Sequence, residues 1–337
     1  MSKSNSYRLA SIAAMAAMTL SAQNSGPNQV SVNAGDQAAG RDATHRRSHG
    51  LRSQSQAARS LPSAAFTVSE RSGSSGSSNS GPGNGLERFP GDVSYGGGAV
   101  VTYAQSHAIY MNPVNGNCTI ATCWGDPEGF LRDLGSSDFI HLTDQYVNVN
   151  GNNRYTVGQS SVINYVQGFF ALTDNDILAR VHAVAATTGQ TGYGHIYHVF
   201  LPPGQDVCQS AGICFSTVLC AYHGSADFFD LGHVVYTVEP DQLGGGCAVA
   251  PGSPNGARVD STNNVLSHEM FETITDPDFD GWFVTGAFDL LGQEIGDECE
   301  FYTANLTFFD VPSFKIGNKV YAVQREYSNK THSCSTK

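Results

Sequence analysis

The residues of this chain that are best suited to chemistry lie in one short segment, Val265 to Pro277, which reads VLSHEMFETITDP. His268 and Glu272 stand four residues apart, so on a helix their side chains share one face and could hold one metal ion. Glu269 follows the histidine directly, at the position where zinc peptidases with an HExxH motif keep their general base. The segment therefore predicts a metal site with His268 and Glu272 as ligands and Glu269 as the catalytic residue.

This motif is HExxE rather than HExxH, because Glu272 replaces the second histidine. A carboxylate oxygen is a legitimate zinc ligand, but a second carboxylate lowers the net charge of the site and weakens the Lewis acidity of the ion. An alternative interpretation needs no metal, since polar arcs on amphipathic helices usually face solvent. Both interpretations require a helix over residues 260–275, which Pro277 ends.

A third metal ligand has to come from outside this helix. Asp276 lies eight residues beyond His268, which is roughly 12 Å along a helix, so the two cannot share an ion while the helix is intact. The segment 293–300, QEIGDECE, supplies Glu294 and Asp297 as candidate ligands. We expect one of them to complete the site, and an acidic surface turn is the competing interpretation.

A second acidic pattern follows the motif. Asp276, Asp278 and Asp280 alternate before Gly281, and such spacing directs carboxylates into a tight turn, as calcium loops do. The twelfth position of an EF-hand would be Ala287, where that motif requires a glutamate, so this is no EF-hand. Two interpretations stay open here, a looser calcium site and a plain acidic turn.

Three other histidines are weaker candidates for a site. His195 and His198 fall three residues apart on a predicted strand, so their side chains point to opposite faces of a sheet. His223 lies at the end of another predicted strand, just before Gly224. We expect each of the three to be a structural histidine, since partly buried histidines are common without function.

Helices and strands are mixed along the chain without a strict period, which predicts one domain of the α+β or mixed α/β class. Thr173 to Thr187 predicts a helix with an N-cap, acidic residues in its first turn and Gly189 just past its end. The other predicted helices are 126–133, 137–146 and 260–275, and the predicted strands are 98–103, 107–111, 195–201, 217–223, 233–238 and 319–327. We expect a central mixed sheet with the helix 260–275 as the element that carries the site.

The charge of the chain excludes several classes of partner. Its 337 residues include 18 basic and 30 acidic groups, a net charge of −12. Such a chain does not wrap nucleic acid or bind an anionic membrane through a basic face. No apolar run reaches the roughly 18 residues needed to cross a bilayer. We therefore predict neither a nucleic-acid partner nor a membrane partner.

The N-terminus is typical of an exported protein. Lys3 and Arg8 precede an alanine-rich apolar stretch, so residues 1–22 predict a secretory signal peptide. Residues 23–88 are rich in Ser, Gly and Arg and poor in large apolar residues, which predicts a disordered tail or linker that is either a spacer or a pro-segment. The acidic globular domain then spans 89–337, and we expect it to be secreted.

The number and spacing of the cysteines also indicate an exported protein. None of the eight forms a CxxC motif, so zinc-ribbon spacing finds no support. An even number in an exported chain predicts four disulfides, although eight cysteines allow 105 pairings. Among these pairings we favour Cys118–Cys123 and Cys299–Cys334.

Several of these motifs occur together in a known family. The segments CAYHGS at 220–225 and VDSTNNVLSHEMFETITDP at 259–277, then Gly281-Trp282, ExGDxC at 294–299 and VQxxxSNxxxxC at 323–334, resemble the phosphate-induced, Exordium-like family of secreted proteins. The similarity is to bacterial and fungal relatives with a metalloprotease-like helix. It spans roughly residues 90–337 and implies a zincin-like domain whose site residues are His268, Glu269, Glu272, Glu294 and Asp297.

Two functions follow from these observations. The first is a secreted, disulfide-bonded, zinc-dependent hydrolase of the peptidase type, which acts on a peptide or protein substrate and uses Glu269 as general base. The second is a non-catalytic extracellular interaction or growth-signalling protein, whose carboxylates hold a structural ion or none. Plant members of the resembling family are linked to extracellular growth responses.

Overall fold

The computed structural model describes residues 26–49, 92–217, 219–244, 247–284, 294–300 and 311–337. The predicted signal peptide 1–22 and the Ser/Gly-rich part of the predicted linker lie outside these ranges. No helix within the described ranges is both long and apolar enough to span a bilayer.

Helices and strands are distributed over the whole described chain. The helices are α1 (Ala34–Asp42), α2 (Ile120–Cys123), α3 (Pro127–Gly135), α4 (Asp144–Val147), α5 (Asp174–Thr188), α6 (Ala257–Thr275) and α7 (Asp297–Glu300), with 3-10 turns at Ile140–Thr143 and Gln242–Gly244. The longer strands are β1 (Asn28–Val30), β2 (Thr44–His49), β4 (Ala104–Pro113), β5 (Tyr155–Val157), β6 (Ser161–Tyr165), β8 (His195–Phe200), β11 (Tyr222–Phe228) and β12 (Gly232–Glu239). The shorter pieces are β3 (Ser94–Tyr95), β7 (Leu172–Thr173), β9 (Val207–Ser210), β10 (Ile213–Cys214), β13 (Trp282–Phe283), β14 (Ser313–Ile316), β15 (Lys319–Ala322), β16 (Glu326–Ser328) and β17 (Ser333–Ser335).

One eight-stranded sheet organises the molecule. Its strand order is β1-β6-β4-β8-β12-β11-β2, and β5 pairs with β4 beside this path. Along this order, neighbouring strands pair in parallel from β1 as far as β12. Strand β11 runs antiparallel to both of its neighbours, β12 and β2. The prediction of a mixed α and β fold with a central mixed sheet is therefore confirmed.

The sheet is covered on both faces, which explains its sequence. Successive residues of β4 alternate between two cores: Ala108 and Tyr110 belong to the core that includes α6, and Ile109 and Met111 to the core that includes α5. Side chains alternate in this way because a strand has a period of two. A strand that is buried on both faces is apolar almost throughout, as the HAIYM segment of β4 is.

Helix α6 confirms the predicted helix 260–275 and extends it to Ala257. Asp260 accepts a hydrogen bond from the backbone N–H of Asn255 at 2.8 Å, which stabilises the start of the helix. The helix ends at Thr275, two residues before Pro277. It packs on β12 and β11, and every residue from Asp260 to Thr275 is buried. The site-bearing helix is therefore a central element of the core.

The N-terminal segment 26–49 differs from the disordered tail predicted for 23–88. Strand β1 pairs with β6 at one edge of the sheet, β2 pairs with β11 at the other edge, and α1 packs on α5 between them. Composition did not reveal this, because the segment buries little apolar surface of its own. Its order comes from backbone pairing with distant strands and from a 2.8 Å contact between Asp36 Oδ1 and His182 Nδ1, both buried.

All eight cysteines form disulfides. The predicted pairs Cys118–Cys123 and Cys299–Cys334 are confirmed, and the other two are Cys208–Cys214 and Cys220–Cys247. The Cys299–Cys334 bridge joins α7 to β17, so it ties the C-terminal hairpin to the segment that carries Glu294 and Asp297.

Candidate metal centre

The three residues of the HExxE motif lie on the buried side of α6. His268, Glu269 and Glu272 are each 0 % exposed. The interpretation of this arc as a solvent-facing helix surface is therefore wrong. Burial of two carboxyl groups and an imidazole is costly unless each is paired or binds a cation, so their partners decide what the motif does.

The first group of metal-ligating atoms joins the motif to α7. His268 Nε2 lies 3.0 Å from Glu272 Oε1 and 3.8 Å from Asp297 Oδ1. One ligand atom from each of these three residues fits within a set whose members are all within 4.8 Å of one another. A metal ion with ligand bonds of about 2.0–2.2 Å fits between atoms at such separations. The structure thus brings His268 and Glu272 together with Asp297, one of the two residues that the sequence offered as a third ligand.

The approach of α7 to the motif depends on a glycine. A Cβ added at Gly296 would lie 2.6 Å from His268 Nδ1 and 2.8 Å from Glu272 Oε1, which no real side chain tolerates without displacement. Gln324 holds the same turn, because its Nε2 donates to the carbonyl of Gly296 at 2.9 Å. This turn is therefore packed directly on the ligand side chains.

A second group of ligand atoms shares Glu272. It consists of His223, Glu272 and Glu294, again with one atom of each within 4.8 Å of the others. His223 Nδ1 lies 3.6 Å from Glu272 Oε2, and His223 Nε2 lies 3.7 Å from Glu294 Oε1. Glu294 is therefore brought to the site, but beside His223 rather than His268.

His223 is the residue that sequence reasoning missed. Its neighbour Tyr222 points to the opposite face of the sheet, where its hydroxyl donates to Asp174 of α5 at 2.7 Å. The period of two then directs His223 toward α6. The only sequence signal was its place in a strand just before Gly224, because no spacing links it to a motif 45 residues further on.

Glu269 contacts the second group. Its Oε2 lies 3.2 Å from His223 Nδ1. Glu269 is thus adjacent in sequence to a residue of the first group and adjacent in space to a residue of the second. A general base in this position can receive a proton and share it with an imidazole.

The other two candidate histidines belong to neither group. His195 Nδ1 contacts His107 Nε2 at 3.0 Å, and His198 Nδ1 contacts Thr237 Oγ1 at 2.9 Å. Neither residue is part of a set of metal-ligating atoms within the described ranges. Their structural role stays an expectation.

The carboxylates of the acidic turn after α6 do not point toward one common site. Asp276 Oδ1 accepts the N–H of Gly281 at 2.7 Å, and Asp278 accepts hydrogen bonds from Ser225 at 2.6 Å and Tyr193 at 2.5 Å. Asp280 is exposed. These three aspartates form no shared set of ligand atoms within the described ranges. The calcium site at Asp276, Asp278 and Asp280 stays a prediction, while Asp276 and Asp278 accept hydrogen bonds from different donors.

Burial shifts the pKa values of several titratable side chains in and around the two groups toward their neutral forms. Burial, followed by the charge of Glu272, raises the pKa of Glu294 well above its usual range, and burial raises that of Glu298 to about 8. Burial also raises the pKa of Asp276 to about 7 and lowers the pKa of His268. Of these groups Glu294 and His268 belong to the two sets of metal-ligating atoms, and a metal ion bound by Glu294 would replace the proton that burial favours on its carboxyl group.

The donor set fits a divalent ion of the zinc or manganese kind. Imidazole nitrogen suits zinc and iron, carboxylate oxygen suits manganese and magnesium, and a mixed set accepts several of them. All eight cysteines are in disulfides, so thiolate ligands are excluded. The buried groups could hold a metal ion, and their chemistry alone does not select which one.

Comparison of the chain with models of protein families, with curated proteins and with solved structures gave no match. The resemblance to the phosphate-induced, Exordium-like family stays a prediction that rests on the motifs.

Proposed function

We propose that this chain is a secreted, metal-dependent hydrolase of the peptidase type, with a zincin-like domain. The observation that carries the proposal is the convergence of His268, Glu272 and Asp297 into one buried group, with Glu269 next to the histidine on the same helix. The motif supplies His268, Glu269 and Glu272 from α6, and α7 brings Asp297 beside them.

The parts of the proposed site have separate roles. His268, Glu272 and Asp297 would hold a divalent ion such as zinc, which when bound polarises a carbonyl group and a water molecule. Glu269 would accept the proton of the attacking water and return it to the leaving amine. His223, at 3.2 Å from Glu269, would orient this carboxylate.

The fold supports the zincin-like assignment and the disulfides support export. The motif helix α6 packs on strands β12 and β11 of a mixed sheet. Four disulfides favour an oxidising compartment. We accordingly propose an extracellular protein related to the Exordium-like family, with a peptide or protein as substrate.

The test of this proposal separates metal binding from catalysis. In Glu269→Gln the zinc content should stay at the wild-type level, while hydrolysis of an unfolded protein substrate should fall by about 10²–10⁴-fold, the usual contribution of a general base. His268→Ala should lose both zinc and hydrolysis. Glu239→Gln is the matched control, because Glu239 is equally buried but lies on β12 outside both groups.

One observation favours a second candidate function. Every ligand side chain is at most 4 % exposed, and structural zinc sites are closed whereas catalytic sites keep an open position. A non-catalytic extracellular binding or growth-signalling protein with a structural ion would have such a site. Wild-type protein that binds zinc but hydrolyses no member of a broad peptide and protein panel would support this second function.

A further inference from the structure

Glu272 presents its two carboxylate oxygens to different histidines. Oε1 lies 3.0 Å from His268 Nε2, and Oε2 lies 3.6 Å from His223 Nδ1. Each histidine has its own additional carboxylate, Asp297 for His268 and Glu294 for His223. The two sets share Glu272 but do not merge into one larger set of atoms within 4.8 Å. One ion therefore cannot use all of these ligands.

The ring of His223 is surrounded by oxygen atoms that can ligate a metal ion. Nδ1 faces Glu269 Oε2 at 3.2 Å and Glu272 Oε2 at 3.6 Å, while Nε2 faces the carbonyl of Asp276 at 3.3 Å and Glu294 Oε1 at 3.7 Å. The ring is fully buried, and Glu294 is 2 % exposed. One imidazole nitrogen and two carboxylate oxygens of this set therefore lie close enough together to share one ion.

The ring of His223 is also held in place by a strained residue. Phe279 stacks on it with ring centroids 4.7 Å apart and an angle of 16° between the planes. Phe279 has a φ of +63°, in the left-handed region that bulky residues rarely adopt. Backbone strain of this kind persists where the surroundings impose it, and it concentrates at functional sites. The orientation of His223 is thus fixed independently of the acidic residues.

We propose that the centre binds two divalent metal ions bridged by Glu272, the second of them held by His223 and Glu294. The bridge uses both oxygens of one carboxylate, as in two-metal sites whose ions lie about 3.5–4 Å apart. This inference rests on the proposed function for the ion at His268, and it adds a ligand role for His223, which the motif did not predict. The second ion would be a transition-metal ion that accepts one imidazole and two carboxylates as ligands, such as zinc or manganese.

The test counts metal ions. Protein stripped with a chelator and reloaded with zinc should contain two equivalents per chain after gel filtration. His223→Ala and the isosteric Glu294→Gln should each retain one equivalent. Reloading with manganese should produce the electron paramagnetic resonance spectrum of a coupled pair in wild type and of an isolated ion in both variants.

Two controls keep the count interpretable. His198→Ala removes another fully buried histidine and Glu239→Gln another fully buried glutamate, and both residues lie outside the two groups. Both variants should keep two equivalents. Circular dichroism of every variant checks that the fold is intact, and Glu294→Gln tests the site even where His223→Ala does not fold.

The outcomes separate this inference from the proposed function. One equivalent in wild type that survives His223→Ala and Glu294→Gln but is lost in His268→Ala would overturn the two-ion centre and leave a single-ion hydrolase in place. No bound metal in wild type would overturn both proposals.

Discussion

The backbone N–H of Asp297 donates a hydrogen bond to Glu272 Oε1 at 3.1 Å, so a residue of α7 contacts the very oxygen that also lies 3.0 Å from His268. One hydrogen bond thereby couples the backbone of the turn at 294–297 to the ligand side chains of α6. The positions of Asp297 and Glu272 are set together, so changes in this turn should act first on the affinity of the proposed metal centre.

Gly296→Ala should weaken zinc binding at least tenfold while the protein stays folded. The added Cβ would lie 2.6 Å from His268 Nδ1, so the ring must move, and metal sites tolerate errors of only about 0.5 Å. Competition with a fluorescent zinc chelator measures the affinity. Gly194→Ala is the control, because nothing lies within 4 Å of its added Cβ. Equal affinities of the two variants would contradict the role of this turn.

The stability of metal-free protein should fall as the pH rises from about 4.5 to 8. Burial raises the pKa of Glu298 to about 8 and of Asp276 to about 7, so the folded protein holds these protons more tightly than the unfolded chain. Their stabilising contribution is complete below the unfolded pKa values near 4 and is lost as the pH rises through the folded ones. The lowered pKa of His268 acts in the opposite direction below its ordinary value of 6.5.

Melting temperatures of chelator-treated protein across this pH range measure the effect, and Glu298→Gln should flatten the curve. Saturating zinc should raise the melting temperature more at pH 8 than at pH 5, because ligands must lose protons to bind a metal. A melting temperature of the metal-free protein that climbs steadily from pH 4.5 to 8 would show that other groups dominate.

Asp36→Ala should loosen the N-terminal segment without affecting the metal centre. The variant loses the buried contact with His182 and the capping bond from Asn33 N–H to Asp36 Oδ2 at 2.9 Å, at a cost of about 1–3 kcal/mol. Limited proteolysis should then cut residues 26–49 faster than in wild type, while zinc content stays unchanged. Asp138→Ala, at an exposed position, is the control. Identical cleavage rates would contradict the importance of this contact.

Asp278→Ala should destabilise the protein in a manner that calcium does not influence. The change leaves the buried hydroxyl of Ser225 and the partly buried hydroxyl of Tyr193 without this acceptor, at a combined cost of about 2–4 kcal/mol. Urea unfolding with and without calcium measures the loss of stability and its dependence on calcium. Asp280→Ala is the control, because it alters an exposed side chain and should change the free energy of unfolding by no more than about 0.5 kcal/mol. A calcium-dependent stabilisation that Asp278→Ala abolishes would support the calcium interpretation.

The sequence by itself determined the local features of this protein. His268 and Glu272 share a helix face because residues four apart always do, and Pro277 places the end of α6 within a residue or two. The predicted helix at 173–187 likewise corresponds to α5, since its capping residues and Gly189 act on adjacent backbone. The even number of cysteines, visible in the sequence at once, predicts that all of them pair, and the two favoured disulfides are among the four that form.

Only the tertiary structure decided what lies next to these features. His223 meets Glu269 from 46 positions away because strand alternation and the packing of α6 on β11 direct it there, and sequence spacing carries no trace of either. The alternate aspartates after α6 separate to different donors, and residues 26–49 become ordered through pairing with β6 and β11. Backbone pairing and buried polar contacts between distant segments depend on where the whole chain folds, so local composition cannot reveal them.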